Sequence, residues 1–165
     1  MSFKKAKLII GPSGSGKTQL ANRIAEDYKG VVKLDLFKKC LHHFFFSDCE
    51  RDTQLIIIDE IPSADAVCDL MHLVTEGVRV EKQMKEAFTI YPELVFICNE
   101  SVKLESFSPF IISFNRRFDA IDLSNRGKRL AKVALDLFIK DTTFYGPLTD
   151  TYPVNANPNL NPVKS

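Results

Sequence analysis

Eight residues near the start of the chain, Gly11-Pro12-Ser13-Gly14-Ser15-Gly16-Lys17-Thr18, combine glycines, a lysine and a hydroxyl at the spacing of a phosphate-binding loop. The apolar run Lys7–Ile10 precedes them and a helical pattern opens at Lys17, the strand-then-helix context such a loop needs. Glycines let successive backbone N–H groups turn toward an anion, and the helix N-terminus adds partial positive charge. Lys17 is then placed to reach the β- and γ-phosphates of a nucleoside triphosphate and Thr18 to ligate Mg²⁺, with Gln19 completing the nucleotide-binding stretch; no residue here reads the base, so ATP and GTP stay open.

Three further groups suit the same chemistry. Leu55–Ile58 delivers Asp59-Glu60 to the end of a buried strand, where open α/β sheets bind ligands. Asp59 fits the Mg²⁺ shell, and Glu60 fits the orientation and polarisation of an attacking water, the arrangement called Walker B. An acidic pair after a strand also arises as a plain helix cap. The run Leu94–Cys98 ends in Asn99, a neutral amide able to hold a water or γ-phosphate without adding charge, although Asn after a strand is also an ordinary turn residue. Arg116 and Arg117 lie just before a later strand, where either could reach the γ-phosphate of a neighbouring subunit or simply be solvated. Lys82 and Lys85 sit at the tip of an expected hairpin and could grip nucleic-acid phosphates, or merely keep the tip soluble. A second basic cluster, Arg126, Lys128, Arg129 and Lys132, reads as a solvated helix face.

The elements that must hold these groups alternate along the chain. Lys7–Ile10, Val31–Leu34, Leu55–Ile58, Leu94–Cys98 and Phe118–Leu123 read as strands, the first four as continuous apolar runs covered on both faces. Lys17–Tyr28, Leu36–Phe45 and Ala64–Glu76 read as helices between them, which predicts a three-layer α/β fold around a parallel sheet of about five strands. Val78–Glu81 and Glu86–Ile90 flank Lys82-Gln83-Met84-Lys85 as an inserted β-hairpin, Ser108–Arg117 reads as a short helix, and Lys128–Ile139 as an amphipathic one. From Asp141 onward the pattern stops, and Pro147, Pro153, Pro158 and Pro162 interleave with asparagines. The expected organisation is therefore an ATPase domain over residues 1–140 and an extended or disordered tail over 141–165.

Of the 165 residues 45% are hydrophobic and 26% charged, enough for a core that needs neither disulfide nor metal. Lys plus Arg total 22 against 21 Asp plus Glu, so the chain is not a bulk polycation and any nucleic-acid contact must come from local patches. No membrane span and no signal peptide is apparent, so a cytoplasmic protein is expected, or one of the host nucleus if the source is a eukaryotic virus. Cys40, Cys49, Cys68 and Cys98 show no Cys-x-x-Cys spacing and are expected to be reduced, with Cys98 buried in a strand. Cys40, His42, His43 and Cys49 fit no standard zinc spacing and read as a helix end packed by Phe44-Phe45-Phe46.

In order, the loop Gly11–Thr18, the strand ending Asp59-Glu60, the hairpin Val78–Ile90 and the strand ending Asn99 resemble the A, B, B′ and C motifs of superfamily III helicases. The segment from Val78 through Pro92 to Asn99 is similar to the helicase domain of rolling-circle replication initiators of small circular single-stranded DNA viruses and plasmids. Phe114–Phe118 resembles the arginine-finger region of those domains, and the likeness spans about residues 6–123. It implies an AAA+-like core, Mg-ATP hydrolysis at subunit interfaces, a homo-oligomeric, hexameric ring, and hairpins that pull single-stranded DNA. By position Lys17 and Thr18 take the phosphate and Mg²⁺ roles, Asp59 and Glu60 the acidic roles, Asn99 the polar sensor role, and Lys82 or Lys85 the DNA contact. The loop begins at Gly11, so a nickase domain and an oligomerisation segment are expected to be absent or supplied separately. Two other readings use the same loop: an AAA+-like ATPase remodelling a protein partner without DNA, and a small nucleotide kinase.

Overall fold

The computed structural model describes residues 3–38 and 44–124. Five strands form one parallel sheet: β1 (Ala6–Ile10), β2 (Val31–Asp35), β3 (Leu55–Ile61), β6 (Glu93–Cys98) and β7 (Phe118–Asp122), in the order β2-β3-β6-β1-β7. A separate antiparallel hairpin pairs β4 (Val78–Val80) with β5 (Phe88–Ile90). The helices are α1 (Lys17–Ala25), α2 (Ala64–Leu70), α3 (His72–Glu76) and α4 (Ile111–Arg117), with a 3₁₀ helix over Leu104–Phe110 leading into the last. This is the three-layer α/β fold expected of a P-loop NTPase-like domain.

Strand pleating divides the core into two layers. Ile9, Leu55, Ile57, Val95, Ile97 and Ile121 point to one face, where α1 covers them with Leu20, Ala21 and Ile24. Leu8, Ile10, Ile56, Ile58, Phe96 and Cys98 point to the other, under α2, α3, the hairpin and α4. Both faces are covered, and this is why the strands read as unbroken apolar runs. Burying each Leu or Ile contributes about 1.5–3 kcal/mol, so α1 is held by its inner stripe rather than by its nine residues' helix propensity.

Several expected boundaries shift, each for a local reason. The helix from Lys17 stops at Ala25, because Glu26, Asp27 and Tyr28 bond back three residues to Arg23, Ile24 and Ala25, a tightening that aims Tyr28 at the sheet. The helix expected over Leu36–Phe45 is not seen in its described parts. Asp35 accepts from the amides of Phe37 (2.8 Å) and Lys38 (3.2 Å), folding residues 36–38 into a turn, and residues 44–48 are turns as well. Residues 39–43, including Cys40, His42 and His43, lie outside the described residues, as do the helix Lys128–Ile139, the second basic cluster and the tail from Asp141.

Ala64–Glu76 is two helices rather than one. Ser63 Oγ caps the first by accepting from the Ala66 amide (3.1 Å), but around Met71 the bonds become three-residue ones, Met71 N to Cys68 O and Val74 N to Met71 O, both 3.1 Å. The short helix expected at Ser108 starts earlier as a 3₁₀ turn at Leu104 and becomes α-helical only at Ile111, because Pro109 has no N–H for the α ladder. Gly77 ends α3 at φ 88°, ψ 178°, a region open only to glycine, and a Cβ there would fall 2.9 Å from the Ile90 carbonyl oxygen. That glycine lets the hairpin leave the helix. Cys68 and Cys98 are free thiols, and no helix among the described residues is long and apolar enough to cross a membrane.

Candidate functional site

All five parallel strands end on one edge of the sheet, and the residues singled out by their chemistry gather there. The chain leaves β1 into the Gly11–Thr18 loop and enters α1 through Gly16, which stands as its N-cap in the left-handed conformation at φ 97°, with Gly14 at φ 79°. A side chain at either position would be strained, so the two glycines are what let the loop wrap. Lys17 folds back over this wrap, donating to the Gly11 carbonyl and, at 3.3 Å, to the Pro12 carbonyl. Burial lowers the Lys17 pKa, while Glu100, Asp59, Cys98 and Glu60 pull it back up, so acids from β3 and β6 both face the lysine.

Inside the loop the Ser15 hydroxyl is buried with no partner among the described residues. A buried polar atom left unpaired costs about 1–3 kcal/mol, which makes it an opening for an incoming hydrogen-bonding group. Gly11 lies against this hydroxyl, where a Cβ would come within 2.6 Å of Ser15 Oγ. Orphaned hydroxyl, left-handed glycines, helix N-terminus and lysine together suit a polyphosphate.

Asp59 sits beside β2's Asp35 in register. Burial raises the Asp59 pKa and Asp35 adds to the rise, against the Glu60 amide, which donates to Asp59 Oδ1 at 2.6 Å, and Lys17. Between Ile58 and Ile61 the register slips, because Glu60 takes a left-handed conformation at φ 58°. The bulge returns Ile61 to the core on the same side as Ile58 while leaving Glu60 exposed at the edge. Beneath, Cys98 is fully enclosed, and burial pushes its thiol up to about 12, so it is an inert packing residue.

Asn99 follows β6, the strand between β1 and β3. Its Oδ1 is engaged locally, accepting from the Ser101 amide (3.1 Å) and Ser101 Oγ (2.5 Å). The next residue, Glu100, reaches the glycine-rich loop, accepting from the Ser13 amide at 3.1 Å. Glu100 and Asp35 stand outside the motifs, and the signal that points to Glu100 is the Asn-x-Ser turn that throws its side chain forward.

The remaining candidates stand on α4, at the hairpin tip and on the first turn of α1. Arg116 is exposed on α4, whereas Arg117 is half-buried and donates to the Ser113 carbonyl at 3.2 Å. Lys85 is exposed at the hairpin tip, but Lys82 is paired with Glu50 at 2.5 Å, and Arg51 from the same loop stacks 4.4 Å over the Phe88 ring. The outermost tip residue is Met84, 96% exposed at φ 62°. Thr18 and Gln19 are exposed on the first turn of α1. Among the described residues no group of three or more His, Cys, Asp and Glu side chains forms a metal cluster.

Among solved structures, the chain is similar to JCV helicase, solved with a thiazolopyridine acetamide, at 18% identity and a TM-score of 0.52, covering 83% of this chain and 40% of that one. It is also similar to the NrS-1 C-terminal region, at 17% identity and a TM-score of 0.46, covering 82% of this chain and 34% of that one. The likeness to JCV helicase is one of fold, and the chain spans less than half the length of either structure. No curated protein matches it by sequence. Residues 9–120, which run from β1 into β7 and take in every group described at the sheet edge, match a family of unknown function, and the chain belongs to that family, DUF5906.

Proposed function

We propose that the chain is the ATP-hydrolysing unit of a DNA helicase or translocase of the superfamily III type. The observation that carries the reading is the convergence of the Gly11–Thr18 loop, Asp59-Glu60 and Asn99-Glu100 on one sheet edge around Lys17. The fold likeness to JCV helicase supports it. The loop amides and Lys17 hold the phosphates of ATP, trading the Gly11 and Pro12 carbonyls for phosphate oxygens, and Ser15 Oγ gains the partner it lacks. Thr18 and Asp59 hold Mg²⁺, whose charge neutralises the phosphate oxygens when bound. Glu60 stands exposed at the edge to orient water and accept its proton, and Asn99 supplies a neutral amide beside it. Arg116, the exposed member of its pair, reaches a neighbouring subunit of a ring, and Lys85 with Lys82 grips single-stranded DNA.

Mg²⁺-dependent ATP hydrolysis, followed against protein concentration with and without single-stranded DNA, tests this. Turnover per subunit should rise with concentration and with DNA, and fall by at least about 10²-fold in Glu60→Gln and Arg116→Ala. Concentration-independent turnover indifferent to DNA would sink the motor reading. An ATPase acting on a protein partner is the second reading, favoured by the hairpin tip, where Lys82 is already paired and Met84 stands outermost. Loss of DNA stimulation in Lys82→Ala plus Lys85→Ala argues for the DNA motor, and stimulation that was never present argues for the protein partner.

A further inference from the structure

Among the described residues, Glu100 is the carboxylate that bonds the glycine-rich loop directly. Its Oε1 accepts from the Ser13 amide at 3.1 Å, and the same side chain faces the Lys17 ammonium. This placement is built rather than incidental. Asn99 Oδ1 gathers the Ser101 amide and hydroxyl, Val102 N bonds back to the Asn99 carbonyl (3.2 Å), and Lys103 Nζ holds the Glu100 carbonyl (3.1 Å). The turn after β6 is thereby fixed with the Glu100 side chain directed at the loop. A carboxylate on a loop amide beside the loop lysine carries the same sign of charge, and accepts hydrogen bonds in the same way, as a phosphate oxygen.

We propose that Glu100 is an intramolecular anion that occupies the mouth of the phosphate loop and is displaced by the phosphates of a nucleotide, so that it sets nucleotide affinity. This rests on the reading of the loop as a nucleotide site. Two negative groups cannot share one amide and one ammonium without repulsion, so the bound phosphate and Glu100 alternate.

Isothermal titration with Mg-ATP and Mg-ADP on the full chain and on Glu100→Gln and Glu100→Ala tests it. Glutamine keeps the acceptor for the Ser13 amide but removes the charge, and Glu100 is exposed, so both variants should melt near the parent temperature. Affinity should rise about five- to tenfold in both variants at low salt. The gain should shrink as salt is raised to about 0.5 M, because an exposed charge is screened there. A structural tether would act in the opposite way, with affinity falling in Glu100→Ala and unchanged in Glu100→Gln. Unchanged or weaker binding in Glu100→Gln, with the parent chain binding normally, overturns the proposal alone. Binding by the variants where the parent shows none supports it. If neither parent nor variants bind either nucleotide, the nucleotide-site reading falls and takes the proposal with it.

Discussion

Glu60 holds a conformation that L-residues with a Cβ avoid, at φ 58°, near the end of a strand that also holds four buried isoleucines. Such strain costs about 1–3 kcal/mol and persists only where the surroundings over-determine it. Here Ile58 and Ile61 are both fully buried on the same side, so the residue between must absorb the slip. A glycine would absorb it freely, and the presence of glutamate ties the strain to what the side chain does at the edge. Removing that side chain in two ways separates stability from chemistry. Glu60→Gly should be about 1 kcal/mol more stable than Glu60→Ala by urea denaturation, reversing the usual order of the two residues in a strand, while both lose hydrolysis. Equal midpoints, or alanine the more stable, would mean that the backbone relaxes and the strain is not real.

At the scale of elements, the exposed arginine of α4 is positioned by a chain of aromatic rings. Phe96 of β6 meets Phe118 of β7 at 5.4 Å between centroids, Phe118 meets Phe114 of α4 at 5.0 Å, and Phe114 meets Phe107 of the 3₁₀ helix at 4.4 Å. Phe114 is the joint, fully buried and in contact with rings on two other elements. Phe114→Ala should lower stability by about 3–5 kcal/mol and remove any concentration dependence of turnover before Lys17-dependent nucleotide binding is lost. Loss of nucleotide binding at the same urea concentration as loss of α4 would show that the two ends of the sheet edge unfold as one unit.

The parallel strands and the presence of a hairpin between Val78 and Ile90 are legible in the sequence, because buried parallel strands leave unbroken apolar runs and two short strand-like segments flank a polar tip. What was not legible depends on side chains bonding nearby backbone. Asp35 turns an expected helix into a turn, Pro109 delays another, and the Asn99 turn brings Glu100 onto the Ser13 amide. The Lys82 to Glu50 pair joins residues far apart in sequence, and no local pattern announces it.

Across the whole molecule the two edges of the sheet carry opposite electrostatic signs of stability. At the edge where the strands begin, Glu93 accepts from Tyr28 Oη at 2.6 Å and from Lys4, with Lys5 and Asp119 paired at 3.8 Å nearby. Burial alone would raise the Glu93 pKa, but the bonds from Lys4 and Tyr28 outweigh it and hold the carboxyl below its ordinary 4.5. A carboxyl with a depressed folded-state pKa stabilises the fold above its unfolded pKa, and that stability is lost as pH falls from about 4.5 through the lower folded value. At the edge where the strands end, burial and Asp35 raise the Asp59 pKa above its ordinary 3.8, so its contribution is present below that pH and is lost as pH rises through the folded value. The ionised form at neutral pH is therefore held at the expense of stability, on the edge where a cation would be bound. Glu93→Gln should be less stable than the parent by about 1 kcal/mol at pH 7, discounted for the exposure of Lys4, and should converge with it in acid, once the pH has fallen through the lowered folded value. Asp59→Asn, which keeps the acceptor for the Glu60 amide, should melt higher than the parent at pH 7 and converge with it in acid. Glu93 pairs in register with Leu55, four residues before Asp59 on β3, which sets the two carboxyls roughly 13 Å apart. At that distance the double variant should show the sum of the two changes to within about 0.5 kcal/mol at pH 7. Thermal melts of the four proteins between pH 3 and pH 8 give all of these numbers, and an Asp59→Asn protein that melts lower than the parent at pH 7 would show that the edge built for chemistry is not the one that gives up stability.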